Sequence, residues 1–374
     1  MKINEQNTKL QLRKIYLQFA SACLLLSLTA QAETLPVEII EFKELRDPTR
    51  QASLIPSRPR LFRRRQKEAE PSPAVGQGRA VPIKVHVPAT GGPYPVVLMS
   101  HGAGGSWDGH FAVAQFLAAQ GYAVLCLEHT GSNTTRLTSS LRILKNLQEM
   151  IHDSGEVLTR PKDVSFALDQ AAQWNRGHPK LKDRLDLKHV GVLGHSFGAY
   201  TVLALAGARP ALDWLEPKVA PGTGLGPDLS DKRISCGVAL SPQSPGEPFF
   251  LPESFNSIKI PVLGISGTQD QQSNKNPPIQ RREAFKLWPE MGGRSGFVWI
   301  TDASHMDFSD STGSDLKRRD SASRQDVQRV VREASRLFFG QCLKGNQEAG
   351  PAVTEAKLKS QLGGSVSRVE VFLK

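Results

Sequence analysis

Cysteine is scarce in this chain. Four occur in 374 residues, at positions 23, 126, 236 and 342, and none falls in the paired spacing of a structural zinc site. There is no P-loop and no RNA-binding motif, so nothing supports a nucleic-acid partner. Internal repeats and low-complexity blocks are absent as well. Long apolar runs are missing too: the strongest, near the amino terminus, is interrupted at Gln18 and falls short of a bilayer span. Acidic residues are outnumbered, 36 against 47 lysines and arginines, for a formal charge of +11. An apolar content of 39% with 22% charged residues is that of a soluble globular protein with chain enough for one large α/β domain or two small ones.

What is present begins with a leader. Residues 1–32 read as a secretory signal: Lys2, Lys9, Arg13 and Lys14 are basic, Leu24–Leu28 is the apolar centre, and Ala30-Gln31-Ala32 is a small-x-small cleavage site before Glu33. An uncleaved anchor is the alternative. Cys23 precedes the apolar centre instead of following it, which argues against a lipoprotein cysteine. The expected location is therefore exported, periplasmic or secreted, where disulfides are permitted. Three cysteines then remain, enough for one bridge and one free thiol. Cys126 falls in a core strand, so the expected pair is Cys236–Cys342. Residues 33–80 read as an irregular lead-in, with Arg58, Arg60, Arg63, Arg64, Arg65 and Lys67 crowded together. The plain reading is a solvated linker; the sharper one is an arm making weak contact with anionic surfaces.

From Val81 onward strand and helix alternate. Val81–Val87, Val96–Ser100, Tyr122–Leu127, Val190–Leu193, Ile234–Leu240, Val262–Ser266 and Gly296–Ile300 read as strands, several apolar on both faces. Helices are expected over 109–119 with Phe111, Ala114, Phe116 and Leu117 inward, near 141–151, over 160–174 with Pro161 at its first turn, after residue 198, over 279–287 and over 324–339. The fold expected is α/β: a doubly wound, mostly parallel sheet with helices on both faces, spanning 81–342, followed by an extension over 343–374. Residues 208–232, rich in Pro and Gly, read as a lid or pocket wall.

The stretch that organises the rest is Gly194-His195-Ser196-Phe197-Gly198, between a buried strand and a helix. A sharp strand-to-helix turn exposes a serine hydroxyl at a strand's carboxyl end, and the flanking glycines let the chains pass close. Ser196 is the candidate nucleophile. A serine needs a base in hydrogen-bond reach, and the base needs an orienting carboxylate. In the α/β-hydrolase order, serine is followed by the acid and then by histidine. Only one of the nine histidines, His305, lies after Ser196. Of the carboxylates between them, Asp270 stands at the carboxyl end of a buried strand, where the active-site groups of open α/β sheets gather. Asp302 is the alternative, three residues before His305 and close along the chain. The oxyanion donors expected are the backbone amides of Phe197 and of Ala103, in the loop His101-Gly102-Ala103-Gly104. This chemistry needs no cofactor and no metal.

Five segments together carry a family resemblance: Ser100–Gly105, Arg160–Ser165, Gly194–Gly198, Gly267–Asp270 and Ala303–Met306. With them the chain resembles the platelet-activating-factor acetylhydrolase-like and predicted dienelactone hydrolase-like branch of the α/β-hydrolase superfamily, over about Val81 to Phe339. Two departures stand out. The acetylhydrolases place their catalytic aspartate directly after the segment similar to Gly237–Leu240, where this chain has Ser241; the dienelactone hydrolases proper use a cysteine nucleophile. The stretch 56–70 looks like an insertion. The expectation is an exported serine carboxylic-ester hydrolase acting on a small-molecule or lipid ester through an acyl-enzyme. A phospholipase A2-type enzyme for short sn-2 acyl esters and a non-catalytic binding protein on the same scaffold are the competing readings. The sequence is silent on oligomeric state.

Overall fold

The computed structural model describes residues 34–52, 78–272, 274–310, 322–345, 350–363 and 368–374. The leader over 1–32 and the basic stretch from Arg58 to Lys67 lie outside the described residues. The chain divides after Leu35, and the unit from Pro36 to Lys374 holds the sheet and its helices.

The strands are β1 (Val37–Phe42), β2 (Arg46–Asp47), β3 (Arg79–Ala80), β4 (Ile83–Pro88), β5 (Tyr94–Ser100), β6 (Ala123–Leu127), β7 (Leu185–His195), β8 (Ile234–Leu240), β9 (Val262–Gln269), β10 (Gly296–Ser304) and β11 (Val369–Leu373). Nine of them form one sheet in the order β1-β4-β6-β5-β7-β8-β9-β10-β11, with β2 and β3 paired apart. Every pair from β6 through β10 is parallel, and the antiparallel pairs sit toward the edges, at β1/β4, β4/β6 and β10/β11. The central strands are apolar on both faces because helices cover both.

Those helices are α1 (Phe111–Ala119), α2 (Thr134–Leu137), α3 (Ile143–His152), α4 (Ser154–Gly177), α5 (Phe197–Ala206), α6 (Ile279–Ala284), α7 (Ala322–Lys344) and α8 (Glu355–Leu362). Val113, Ala114 and Leu117 of α1 pack with Val327, Val330 and Phe339 of α7 over one face of the sheet. Val157, Val164 and Ala171 of α4 pack with Tyr200 and Leu203 of α5 over the other. Cys236 on β8 is bonded to Cys342 on α7, and Cys126 is a free, buried thiol.

Four expectations need correction. The helix placed at 160–174 runs from Ser154 to Gly177 and carries Pro161 in its interior. Asp153 caps it, accepting from the amides of Gly155 and Glu156, so the start signal lies a full two turns before the proline. The lead-in over 33–80 is not irregular throughout: Val37–Phe42 pairs with β4 as an edge strand, its half-buried Ile40 and Phe42 packing on the core. Phe111 does not point inward; it is 42% exposed, while Val113 and Ala118 join Ala114 and Leu117 inside. The extension over 343–374 belongs to the domain, supplying α8 and the edge strand β11, so β10 is not the last core strand.

Candidate active site

The carboxyl ends of adjacent parallel strands deliver the site. In register, Ser100 of β5 lies beside Gly194 of β7, and His195 of β7 beside Leu240 of β8. Ser196 follows β7 with φ 55 and ψ −116, a left-handed backbone for a residue with a side chain. The turn is possible because of its glycines. A Cβ on Gly194 would run into the carbonyl of Gly198, and one on Gly198 into the carbonyl of Ser100. The Ser196 amide donates to Leu240 O at 2.9 Å, which anchors the turn to β8.

Ser196 Oγ lies 3.0 Å from His305 Nε2, and His305 Nδ1 lies 2.7 Å from Asp270 Oδ1. The three residues expected from the sequence are brought together in the order hydroxyl, imidazole, carboxylate. Asp270 is fully buried at the end of β9. Burial alone would raise its pKa, but Arg281 and His305 outweigh that and hold it well below the usual carboxylate range. Arg281 is itself buried; it pairs with Asp270 Oδ1 at 3.2 Å and donates to the carbonyls of Asp270, Ser241 and Pro242. Ser266 Oγ donates to the other carboxylate oxygen at 2.7 Å. Asp302 is not in the site. It is exposed in an irregular stretch of β10, bonded to Gln269 and Thr268.

Ala103 and Phe197 both line the cavity at Ser196, and none of the described hydrogen bonds uses either amide. Gly104 and Gly105, by contrast, spend theirs on Ser132 O and Gly102 O, which folds the loop.

Several side chains serving this site were not assigned roles from the sequence. Arg160 is fully buried, and its guanidinium donates to the carbonyl of His101, to Ser100 Oγ at 3.1 Å and to Ser132 Oγ at 2.7 Å. The same group lies 4.3 Å from the centre of the Phe197 ring. One cation therefore touches both chain segments that carry the unused amides. Burial lowers its pKa to about 9, which leaves it charged at neutral pH. Beneath it, Asp163 and Glu156 are bridged by Arg79, and Asp163 also accepts from His129 Nδ1, whose Nε2 meets Ser100 Oγ at 2.9 Å. His195 Nε2 donates to the backbone carbonyl of His305 at 3.0 Å. Burial holds the His195 ring neutral, its pKa well below 6.5, so it steadies the histidine loop without placing a charge beside it. Gln243 Nε2 donates to Ser196 O at 2.7 Å. A signal for part of this existed in the Arg160/Asp163 spacing of three, which puts both side chains on one helix face.

The cavity holds about 430 Å³ and is bounded by α2, α3, the 101–110 loop, residues 243–249 and the His305 loop. Residues 208–232, expected as a lid or wall, contribute none of its lining. Ala211, Leu212 and Leu215 are buried instead, and Glu216 braces the α3–α4 junction by exchanging hydrogen bonds with His152 and Ser154. Among the described residues, no cluster of three or more His, Cys, Asp or Glu is placed to hold a metal ion.

Comparison with known proteins agrees with this architecture. The chain matches the family described as alpha/beta hydrolase fold over residues 95–251. A solved structure titled ferulic acid esterase, from Streptomyces cinnamoneus, superposes with a TM-score of 0.56 at 18% identity, covering 93% of this chain and 98% of that one. The chain has the α/β-hydrolase fold. The chain is similar to the platelet-activating factor acetylhydrolase of Canis lupus familiaris, 29% identical over 179 residues. That match takes in 40% of this chain and only 35% of the acetylhydrolase. It is similar as well to a putative carboxymethylenebutenolidase of Methylorubrum extorquens, 24% identical over 232 residues, covering 61% of this chain and 68% of the relative. The two relatives are an acetylhydrolase and a dienelactone hydrolase-like protein, the two groups that the sequence motifs resemble.

Proposed function

We propose that the protein is an exported serine carboxylic-ester hydrolase working through an acyl-enzyme. The observation that carries this reading is the aligned pair of contacts from Ser196 Oγ to His305 and from His305 to Asp270. Ser196 Oγ attacks the ester carbonyl while His305 Nε2 takes its proton. Asp270 fixes the imidazole tautomer and stabilises the imidazolium. The amides of Phe197 and Ala103 stabilise the tetrahedral oxyanion. His305 then returns the proton to the leaving alcohol, and a water activated by the same imidazole releases the acid. Turnover of p-nitrophenyl acetate that Ser196→Ala abolishes is the test; turnover unchanged in that variant would overturn the reading.

The acetylhydrolase likeness supports a second reading, hydrolysis of short sn-2 acyl phospholipids. It is weakened at Ser241, which stands after β8 where those relatives keep their acid. The carboxylate against His305 comes instead from Asp270, after β9. Export rests on the basic, apolar and small-x-small series of residues 1–32, and a Cys236–Cys342 bridge suits an oxidising compartment. Mass spectrometry of protein from outside the cytoplasm should find Glu33 first; an intact Met1 in a membrane fraction would overturn it.

A further inference from the structure

We propose that the stripe Ile143, Leu147 and Ile151 on α3 is the binding wall for an extended apolar chain carried by the ester, which makes medium-chain esters the substrates of this site. This rests on the ester-hydrolase reading above and names the substrate class of that site.

Spacing of four puts the three side chains in one line on the helix, and eight residues of rise make that line about 12 Å long. All three line the cavity that contains Ser196 and His305. Their exposure grows along the line: Ile151 is buried, Leu147 half-buried and Ile143 42% exposed. The wall therefore runs from the interior to the mouth, as a track for a chain does and a compact acetyl pocket does not. Leu137 and Phe249 add to the apolar lining.

The wall is joined to the expected oxyanion loop through Leu137. Leu137 packs so closely on Gly104, next to Ala103, that a Cβ there would collide with it. Asn146, on α3 itself, donates to Leu137 O at 2.7 Å and locks that leucine to the helix. The oxyanion loop, Leu137 and the stripe are thus one connected surface. At the other end of the helix, His152 Nε2 meets Glu247 Oε1 at 2.7 Å, a polar stop just beyond Ile151. Leu141 and Leu144 stand 78% and 79% exposed and take no part in the cavity lining.

The geometry fits the chain on either side of the ester, and two substrate series separate the sides. One runs from p-nitrophenyl acetate through butyrate to octanoate; the other runs from ethyl acetate to octyl acetate. In one of them kcat/KM should rise roughly threefold per added methylene until the wall is filled. Leu147→Gln should cut the octanoate-to-acetate (or octyl-to-ethyl) ratio about tenfold or more. Ile143→Gln, at a more exposed position, carries the same test should Leu147→Gln fail to fold. Leu144→Gln, off the stripe, should keep the wild-type ratio. Ser196-dependent acetate turnover with a flat or falling profile in both series would overturn the wall and leave the ester-hydrolase reading standing. So would an equal loss of the ratio in Leu144→Gln. Absence of Ser196-dependent turnover for every ester would overturn both.

Discussion

The Tyr200 hydroxyl donates to the Val157 carbonyl at 2.9 Å, and Val157 is the residue whose helical partner would be the nitrogen of Pro161. Proline has no N–H to give, so an interior proline leaves that carbonyl orphaned. A side chain from α5, four residues past Ser196, fills the gap. Tyr200→Phe should cost about 1–3 kcal/mol, the penalty of a buried acceptor left unmade. Adding Pro161→Ala restores the N–H and should shrink that cost, a coupling that urea unfolding of the four variants reads directly. If Tyr200→Phe matched the wild type, the carbonyl would have another partner.

Arg160 ties the carbonyl of His101 to the ring of Phe197. It touches no reacting atom, so its role is positioning. Arg160→Met should lower kcat by about 10², the scale of losing one oxyanion donor, and leave KM near its wild-type value. Arg160→Lys should recover part of the loss. Affinity for a trifluoromethyl ketone, which forms the tetrahedral adduct, should fall with kcat, since a merely structural role would not weaken that adduct selectively. Unchanged ketone affinity alongside a lowered Tm would reduce Arg160 to a packing residue.

Asp270→Asn should favour the wrong imidazole tautomer and lower kcat by up to about 10⁴, roughly 5 kcal/mol of transition-state stabilisation. Asp302→Asn should be close to neutral, its side chain being exposed and bonded to Gln269. Asp270→Asn added to Ser196→Ala should cost little more, because the residues act as a unit. Collapse of turnover in Asp302→Asn with near-normal Asp270→Asn would move the acid.

Stability should fall on mild acidification. Burial lowers His110 and His129 from 6.5 to about 4, so between those values the unfolded chain binds more protons. The stabilisation is whole above about pH 6.5 and is lost progressively toward pH 4, on the order of 3 kcal/mol per histidine. His129 is faced by Arg160, Arg79 and Asp163, with Ser100 on its other nitrogen. The depressed carboxylates Asp163 and Asp270 add to the loss only below about pH 4. Urea midpoints measured at pH 7.5 and pH 5 should differ; equal midpoints would refute neutral burial of these rings.

Ser196, His305 and Asp270 could be read from the chain because each stands in local turn chemistry at a strand end, where few placements are possible. The true start of α4 could not. The rule that proline begins helices is local, and its exception is permitted by Tyr200, 43 positions from the Val157 carbonyl it satisfies. β1 and β11 escaped notice because edge strands are short and half-buried, with weak periodicity. The 208–232 segment misled because Pro and Gly announce a loop and say nothing of what it packs on. The Arg160 cluster had a visible motif, but its meaning lies in His101 and Phe197, brought to it only by the sheet.

The two outer strands of the sheet, β1 and β11, are the first and last strands described, and they flank everything between. During synthesis β10 has no neighbour on its outer side until residues 369–373 leave the ribosome. The Cys236–Cys342 link, spanning 106 positions, also waits for the late helix α7. A copy cut short before residue 369 would keep every reacting group and display an unpaired, apolar strand, a template for aggregation. Loss of the final strand should therefore appear first in yield and solubility, and only through them in turnover.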